Sequence, residues 1–217
     1  MRFFSTQFLM SKPKSPYRFV EYLESTGSQY INTGVSHLNV FGYEIEYQSR
    51  GIVNMNTSNK FDGIFGVNGM GTNADIKIWF NYANTDAIRN NIYCKTPVFQ
   101  APAITLDAQY QNKHIVSVKN KNVSFDDMQL GTITSYGTPT RGASIHMFGV
   151  NDTSGASRFR SATRIYSLKL YDENDNLMND FRPCVRIEDN KPGMYDTVTK
   201  KFFTNAGSSA YEFKIGE

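Results

Sequence analysis

The sequence contains few of the residues from which catalytic and metal sites are usually built. Its 217 residues include two cysteines, three histidines and one tryptophan. Cys94 and Cys184 lie far apart in sequence and make neither a disulfide framework nor a metal-ligand cluster, so we predict two buried thiols, with a bridge between them as the alternative. The histidines are scattered, and His146 is predicted to be a hydrogen-bonded strand residue. Because no G-x-S-x-G motif or nucleotide-binding glycine loop is present, we expect a protein that is not an enzyme and has no cofactor.

The chain also lacks a surplus of charge and a long apolar run. Charged residues make up 20% of it, and four of its 23 basic side chains lie before residue 19, where no acidic residue occurs. The remainder has 19 basic against 20 acidic side chains, so we expect no nucleic-acid-binding face. No apolar run approaches the roughly 20 residues of a membrane-spanning helix, so we expect no membrane insertion.

The first residues, MRFFSTQFLMSKPKSP, do not resemble a signal peptide. Polar residues interrupt their apolar positions, and no small-residue cleavage pattern follows. We interpret residues 1–16 as an N-terminal docking arm that binds a partner, and residues 17–217 as a single domain. The residues predicted to make the docking contact are the aromatic and basic ones: Arg2, Phe3, Phe4, Phe8, Lys12 and Lys14.

Aromatic residues, by contrast, are abundant at 14%, and apolar residues recur at every second position. In FGYEIEYQSR, Tyr43, Ile45 and Tyr47 alternate with polar residues, and DIKIWFNY alternates in the same way. KHIVSVKNKNVSFDD predicts a hairpin that turns at residues 120–122, and RIYSLKLYDENDNLMNDFRPC predicts two strands joined by a polar turn at residues 173–176. Because no stretch has a long helical stripe, the sequence predicts an all-β sandwich or jelly roll.

Two end motifs carry a family resemblance. VEYLESTGSQYINTGV opens the predicted domain and DFRPCVRIEDNKPGMYDTVTKKFFTNAGSSAYEF closes it. Together they resemble concanavalin A-like, laminin-G-like jelly-roll domains, which occur in surface proteins of gut bacteria and in phage structural proteins. The resemblance covers Tyr17 to Phe213. It implies a sandwich of two antiparallel sheets whose first and last strands lie side by side, with Gly27 and Gly34 supplying turns.

A sugar-binding site needs an aromatic ring that stacks on the sugar and polar groups that bond its hydroxyls. Trp79 falls on the polar side of its strand, beside Asn81 and near Tyr82, and these three residues form the predicted platform. The alternative is that Trp79 packs against the opposite sheet or a loop. By resemblance, NDTSGAS is a rim loop in which Asn151 and Asp152 are predicted ligand-binding residues. The resemblance also implies a Ca²⁺-ligating role for these two positions, as in some relatives. One aspartate is too few for us to assign a metal.

Glycoside hydrolysis is the least favoured hypothesis. Concanavalin A-like glucanases carry carboxylates on one strand in an E-x-D-x-x-E pattern. Glu44 and Glu46 share a strand face at a spacing of about 6.6 Å, but the third position is Ser49. Polar residues that alternate with apolar ones are also typical of a solvated sheet face.

The predicted lack of an export signal favours a virion setting, because virion proteins are assembled in the host cytoplasm. The leading hypothesis is a non-enzymatic phage structural protein, namely a head-fibre, decoration or tail-associated subunit at the virion surface. Its arm would bind other virion proteins, and its lectin-like domain would bind host-surface glycans. We expect a homo-oligomer because exposed sheet edges must be covered, and among the oligomeric states we expect a trimer. The alternative is a free carbohydrate-binding module of a gut bacterium.

Overall fold

The chain folds into strands that form two sheets, as its period of two predicts. The computed structural model describes residues 15–51, 61–71, 73–84, 87–96, 98–101, 104–105, 112–152 and 155–217, with side chains for all of these except 80–84, 87–89, 104 and 105. The predicted docking residues Arg2, Phe3, Phe4, Phe8, Lys12 and Lys14 lie outside the described residues, so the docking arm stays a prediction. Within the described ranges the one helical element is a 3-10 turn at His37–Asn39. No helix found there is long and apolar enough to cross a membrane.

Twenty strands lie in the described residues. In chain order they are β1 (Tyr17–Phe19), β2 (Leu23–Thr26), β3 (Ile31–Ser36), β4 (Gly42–Gly51), β5 (Phe61–Val67), β6 (Ile76–Asn84), β7 (Ala87–Cys94), β8 (Phe99–Gln100), β9 (Ile104–Thr105), β10 (Lys113–Lys119), β11 (Asn122–Phe125), β12 (Met128–Thr132), β13 (Ser144–Met147), β14 (Val150–Asn151), β15 (Ser157–Arg158), β16 (Ala162–Tyr171), β17 (Leu177–Arg186), β18 (Lys191–Asp196), β19 (Lys201–Phe203) and β20 (Lys214–Ile215).

The strands form an antiparallel β-sandwich. In the first sheet the spatial order is β12, β11, β10, β4, β16, β17, β18, β19, with β1 beside β17, β2 beside β16, and β20 beside β2. In the second sheet the order is β15, β14, β5, β6, β7, β8, while β13 pairs with β3 and β5, and β9 pairs with β7. The described pairs are antiparallel except that of β14 with β5, which is parallel. The sandwich predicted from the sequence is therefore confirmed.

The core lies between the sheets and takes every second residue of the central strands. On β4 the side chains of Tyr43, Ile45 and Tyr47 are fully buried, which confirms the predicted alternation. The Tyr43 hydroxyl donates to the Tyr93 carbonyl at 3.0 Å, and the Tyr47 hydroxyl donates to Asn90 Oδ1 at 2.8 Å. Two tyrosines of the first sheet are thus hydrogen-bonded to β7 of the second. Burial raises the pKa of both phenols well above the usual range, so both remain neutral donors.

The turns follow from local chemistry. Between β10 and β11, Asn120 and Lys121 have φ values of 49° and 62°, and a two-residue hairpin turn of this hand requires positive φ at both positions. Between β16 and β17, the Asp172 side chain accepts hydrogen bonds from the backbone N–H groups of Asn174 and Asn176, each at 2.9 Å. Both predicted turns are confirmed.

The opening and closing motifs meet in space. The last strand, β20, pairs with β2, whereas the first strand, β1, pairs with β17, so the first and last strands are not direct neighbours, contrary to the prediction, although the two ends of the domain meet. Gln29 Nε2 donates to the Glu212 carbonyl at 2.8 Å, and the backbone N–H of Tyr30 donates to Asn205 Oδ1 at 3.2 Å. Gly27 makes the turn before Gln29 with a φ of 94°, a conformation that favours glycine. These contacts give the end motifs a structural role, which is to join the two ends of the domain.

Both cysteines are free and buried, as predicted. Burial raises the pKa of the Cys94 thiol and of the Cys184 thiol to about 12 in each case. Because the thiolate is the reactive form, neither residue is a nucleophile near neutral pH.

Candidate functional site

Trp79 lies in an aromatic cluster on the outer face of the second sheet. Because Ile78 points into the core, its neighbour Trp79 points away from it. The Phe61 ring stacks on the indole with centroids 4.5 Å apart, and the Tyr93 and Phe159 rings meet it edge-on at 5.8 Å each. These four rings are called the Trp79 cluster below. They leave the indole half-buried.

The Trp79 cluster encloses the ammonium group of Lys77. Lys77 Nζ lies 4.0 Å from the centroid of Trp79 and 4.4 Å from that of Tyr93. The same Nζ donates to Asp75 Oδ2 at 2.5 Å and to Asn68 Oδ1, and the side chain is only 3% exposed. Burial lowers the pKa of Lys77, and the Asp75 carboxylate opposes part of that shift. Because a ring and a cation already contact the indole, little of Trp79 is left for a sugar.

Two polar atoms beside the Trp79 cluster lack a hydrogen bond. They are Trp79 Nε1 and Oδ1 of Asn91, whose residues face each other across β6 and β7. Burial raises the pKa of Tyr93, and the neighbouring indole N–H of Trp79 opposes part of that rise. The two groups do not meet the geometry of a hydrogen bond. Both unpaired atoms are shielded from solvent, so a ligand reaches them only if a neighbouring side chain moves.

The predicted rim-loop residues lie at a separate cavity of about 350 Å³, which Asn151 and Asp152 line and Trp79 does not. Asn151 Nδ2 donates to the Ser144 carbonyl at 2.7 Å, and its Oδ1 has no hydrogen bond. The Asp152 carboxylate forms an ion pair with Arg158 Nε. The predicted ligand-binding residues therefore belong to two surfaces. The side chains of Asn81 and Tyr82 lie outside the described part of the structure.

A metal site finds no support among the residues that the structure describes. No group of three or more His, Cys, Asp or Glu side chains there could hold an ion. Asp152 is engaged by an arginine, which competes with any cation for its carboxylate. We therefore assign no metal.

His146 differs from the hydrogen-bonded residue that the sequence predicts. It lies on a strand, as expected, and is 1% exposed, but neither ring nitrogen has a hydrogen bond. Its ring centroid lies 5.0 Å from that of Tyr30. Burial lowers the pKa of His146 to about 4, with Asp152 raising it and Arg160 lowering it by smaller amounts. The prediction of a hydrogen-bonded side chain is wrong because alternation identifies the face of a strand and not the groups that cover it.

The carboxylates considered for hydrolysis are held in ion pairs on the outer face of the first sheet. Glu44 Oε1 lies 2.5 Å from Lys169 Nζ, and Glu46 Oε1 lies 3.1 Å from Lys113 Nζ. The side chain at the third position, Ser49, is buried. Cross-strand ion pairs of this kind are typical of a solvated sheet face. They give the hydrolase hypothesis no support.

An open aromatic surface lies on the outer face of the first sheet, where the sequence did not predict one. It is a groove of about 400 Å³, called the Phe19 groove below. Phe19 is 52% exposed, and Tyr166 lines the same groove. The lining residues are Phe19, Val20, Glu21, Glu46, Lys113, Tyr166, Arg182 and Pro183.

The charged groups of the Phe19 groove are paired with one another or with neighbours. Lys113 Nζ lies 3.1 Å from Glu46 Oε1 and 4.0 Å from the centroid of Tyr166. Arg182 Nε lies 2.8 Å from Asp180 Oδ1. Because each cation has an acidic neighbour, the groove has little net charge to attract an ionic ligand.

Further rings extend the aromatic surface beyond the groove. The centroid of Phe19 lies 6.2 Å from that of Tyr195, which lies 4.5 Å from that of Tyr17. Tyr17 stacks on Phe202 at 5.5 Å, and the Arg186 guanidinium lies 4.8 Å from the Phe202 centroid. These residues belong to β1, β17, β18 and β19, which only the sheet brings together. For that reason no pattern in the sequence indicates this surface beyond the high aromatic content.

Comparisons with known proteins identify no relative. A scan against protein-family models, a search of curated proteins and a search of solved structures each give no match. The resemblance to concanavalin A-like domains therefore stays a prediction.

Proposed function

We propose that this protein is a non-catalytic phage structural protein that displays a lectin-like domain and binds a neutral glycan in the Phe19 groove. In this proposal the sandwich is the jelly roll that the end motifs resemble, and the pairing of β2 with β20 supports that assignment. The virion setting is supported by the resemblance alone. Non-catalytic character is supported by the ion pairs of Glu44 and Glu46.

The observation that carries the proposal is the exposed Phe19 ring above a groove whose charges are paired. An exposed aromatic ring gives the apolar face of a sugar a surface on which to stack. The flanking ion pairs offer donors and acceptors to hydroxyl groups without attracting an ionic ligand. The volume of about 400 Å³ lies in the range of small-molecule sites, about 300–1,000 Å³.

Binding is tested with a panel of neutral hexasaccharides, comprising β-1,4-glucan, β-1,3-glucan, α-1,4-glucan, β-1,4-xylan and β-1,4-mannan fragments. We expect at least one to bind and the variant Phe19→Ala to bind it about tenfold or more weakly, as loss of a central aromatic contact usually does. Leu177→Ala is the control, because Leu177 is 43% exposed and does not line the groove. If Trp79→Ala loses binding while folded and Phe19→Ala does not, the site is the Trp79 cluster.

The virion part of the proposal has its own test. We expect mass spectrometry of purified particles to find this chain in multiple copies, and deletion of residues 1–16 to prevent its incorporation. A chain that is found only free of particles would overturn the virion assignment. The alternative hypothesis, a free carbohydrate-binding module, would then remain, and the same groove supports it.

A further inference from the structure

Three side chains at the loop end of the β5–β6 hairpin form a compact polar group. Lys77 Nζ contacts Asn68 Oδ1 and lies 2.5 Å from Asp75 Oδ2. Asp75 Oδ1 accepts a hydrogen bond from the backbone N–H of Met70 at 3.1 Å, which fixes the carboxylate. The backbone N–H of Asn68 donates to the Asn151 carbonyl at 2.8 Å, which fixes the amide-bearing residue. An amine, a carboxamide and a carboxylate are thus held in mutual contact.

We propose that Lys77 and Asn68 form an intramolecular isopeptide bond, with Asp75 as the group that transfers protons. The amine and the amide carbonyl are within hydrogen-bond distance, so the attacking nitrogen already lies next to the carboxamide. The product would be a covalent link between the end of β5 and the start of β6. This inference is independent of the glycan-binding proposal.

The reaction balances without an oxidant or a cofactor. Asp75 takes one proton from the Lys77 ammonium and leaves a neutral amine. The Nζ lone pair then bonds to Cγ of Asn68, and the Cγ–Nδ2 bond breaks with its electron pair on nitrogen. The protonated Asp75 then gives its proton to the departing Nδ2 and takes one further proton from Nζ, so that ammonia leaves and the new amide is neutral. The proton that Asp75 now carries passes to solvent.

Burial shifts Lys77 towards the neutral, nucleophilic form of its amine. Lys77 is 3% exposed at its side chain, and the rings of Trp79 and Tyr93 lie about its ammonium. Burial in such a medium disfavours the charged amine relative to the neutral nucleophile.

The hairpin geometry explains how the lysine reaches its partner. Gly66 faces Lys77 across the hairpin, and a Cβ at Gly66 would lie 2.7 Å from Lys77 Cβ. Because Gly66 has no side chain, β5 and β6 approach closely there, and the lysine crosses over the glycine towards Asn68. Gly66 has a φ of 126°, which favours glycine for a second reason.

The first test is the intact mass of the full, folded chain. We expect a mass lower than that of the sequence by one ammonia molecule. Cyanogen bromide cleaves after Met70, which lies between the two linked residues, so the fragments that end at Met70 and begin at Gly71 should stay joined. A wild-type mass equal to that of the sequence, after prolonged incubation of the folded chain, would overturn the proposal.

Variants separate the isopeptide from another source of ammonia loss. Asn68 precedes Gly69, and an asparagine before glycine can lose ammonia to its own backbone as a succinimide. Lys77→Arg and Asp75→Asn should each restore the full mass, whereas a succinimide would persist in Lys77→Arg, and its cyanogen bromide fragments would separate. Lys95→Arg is the matched control. Lys95 is also buried, but its Nζ donates to the Leu38 carbonyl at 2.7 Å, so this variant should keep the mass loss.

Discussion

At the scale of single residues, one buried carboxylate has an unusually complete set of hydrogen bonds. Asp196, in the closing motif, is fully buried and accepts four hydrogen bonds. The donors are Asn179 Nδ2 at 2.6 Å, the Asp180 N–H at 2.9 Å, Thr199 Oγ1 at 2.5 Å and the Val198 N–H at 3.1 Å. Burial alone raises the pKa of Asp196, but these hydrogen bonds more than offset it, and the net pKa is lowered.

We expect Asp196→Ala to lower the free energy of unfolding by about 2–4 kcal/mol, because it leaves buried donors without an acceptor. Urea denaturation of the two proteins measures the difference. Asp189→Ala is the control, since Asp189 pairs with Arg186 at 2.6 Å on the surface and its loss should lower the free energy of unfolding far less. Equal losses for the two variants would contradict the role assigned to Asp196.

His146 makes stability depend on pH. Its pKa is about 4 in the folded chain and about 6.5 when unfolded, so the unfolded chain binds the proton more readily. The contribution of neutral, buried His146 to the free energy of unfolding is complete above pH 6.5. It falls as the pH drops from 6.5 to 4 and is constant below pH 4. It amounts to about 3 kcal/mol at most.

We expect His146→Leu to flatten the decline in the free energy of unfolding between pH 6.5 and pH 4, measured by urea denaturation at each pH. Comparison with the parent is needed because burial also lowers the pKa of His37, which leaves part of the slope in the variant. Parallel curves for the variant and the parent would contradict the assignment of this slope to His146.

Trp79 and Phe19 provide a contrast between an enclosed ring and an open one. The rings and the ammonium around Trp79 would lose their contacts in Trp79→Ala, so we expect a loss of about 3–5 kcal/mol in the free energy of unfolding. Phe19 is 52% exposed, and Phe19→Ala should cost about 1 kcal/mol. Thermal or urea unfolding of both variants measures this, and a similar cost for the two would contradict the burial assigned here.

At the scale of elements, the sequence predicts strands better than their surroundings. The alternation in β4 and the turns after β10 and β16 follow from local rules, and the structure confirms each of them. On β6 the same rule turns Trp79 away from the core, which is correct. It does not reveal that Phe61 and Phe159, from other segments, cover the indole there.

The β5–β6 hairpin depends on the absence of a side chain at Gly66. A Cβ at this position would meet the Ile76 carbonyl and the Lys77 backbone, and the positive φ adds strain for any other residue. We expect Gly66→Ala to lower the free energy of unfolding by about 2 kcal/mol or more. Gly51→Ala is the control: with no atom within 4 Å of a Cβ there and no positive φ, its change should stay below about 1 kcal/mol. Equal effects in urea denaturation would contradict this account.

At the scale of the whole molecule, the sandwich distributes its features over two outer faces. The first sheet presents the Phe19 groove with its paired charges, and the second presents the Trp79 cluster with Lys77. If both proposals hold, ligand binding and covalent stabilisation occur on different sheets. Phe19→Ala should then leave the intact mass unchanged, whereas Lys77→Arg should leave glycan binding unchanged, as parallel mass and binding measurements would show.

Periodicity, turn chemistry and cysteine spacing were enough to predict the alternating strands, the two hairpin turns and the buried thiols, whereas the adjacency of the two ends was implied by the family resemblance. Which polar side chains meet depends on contacts between segments that are distant in sequence. Lys77, Asp75 and Asn68 come together through the register of β5 and β6, and the Phe19 groove forms where β1, β4, β10, β16 and β17 converge. The predicted hydrogen bond of the His146 side chain is absent for the same reason. A strand pattern specifies which way a side chain points, while the packing of distant strands specifies what it contacts.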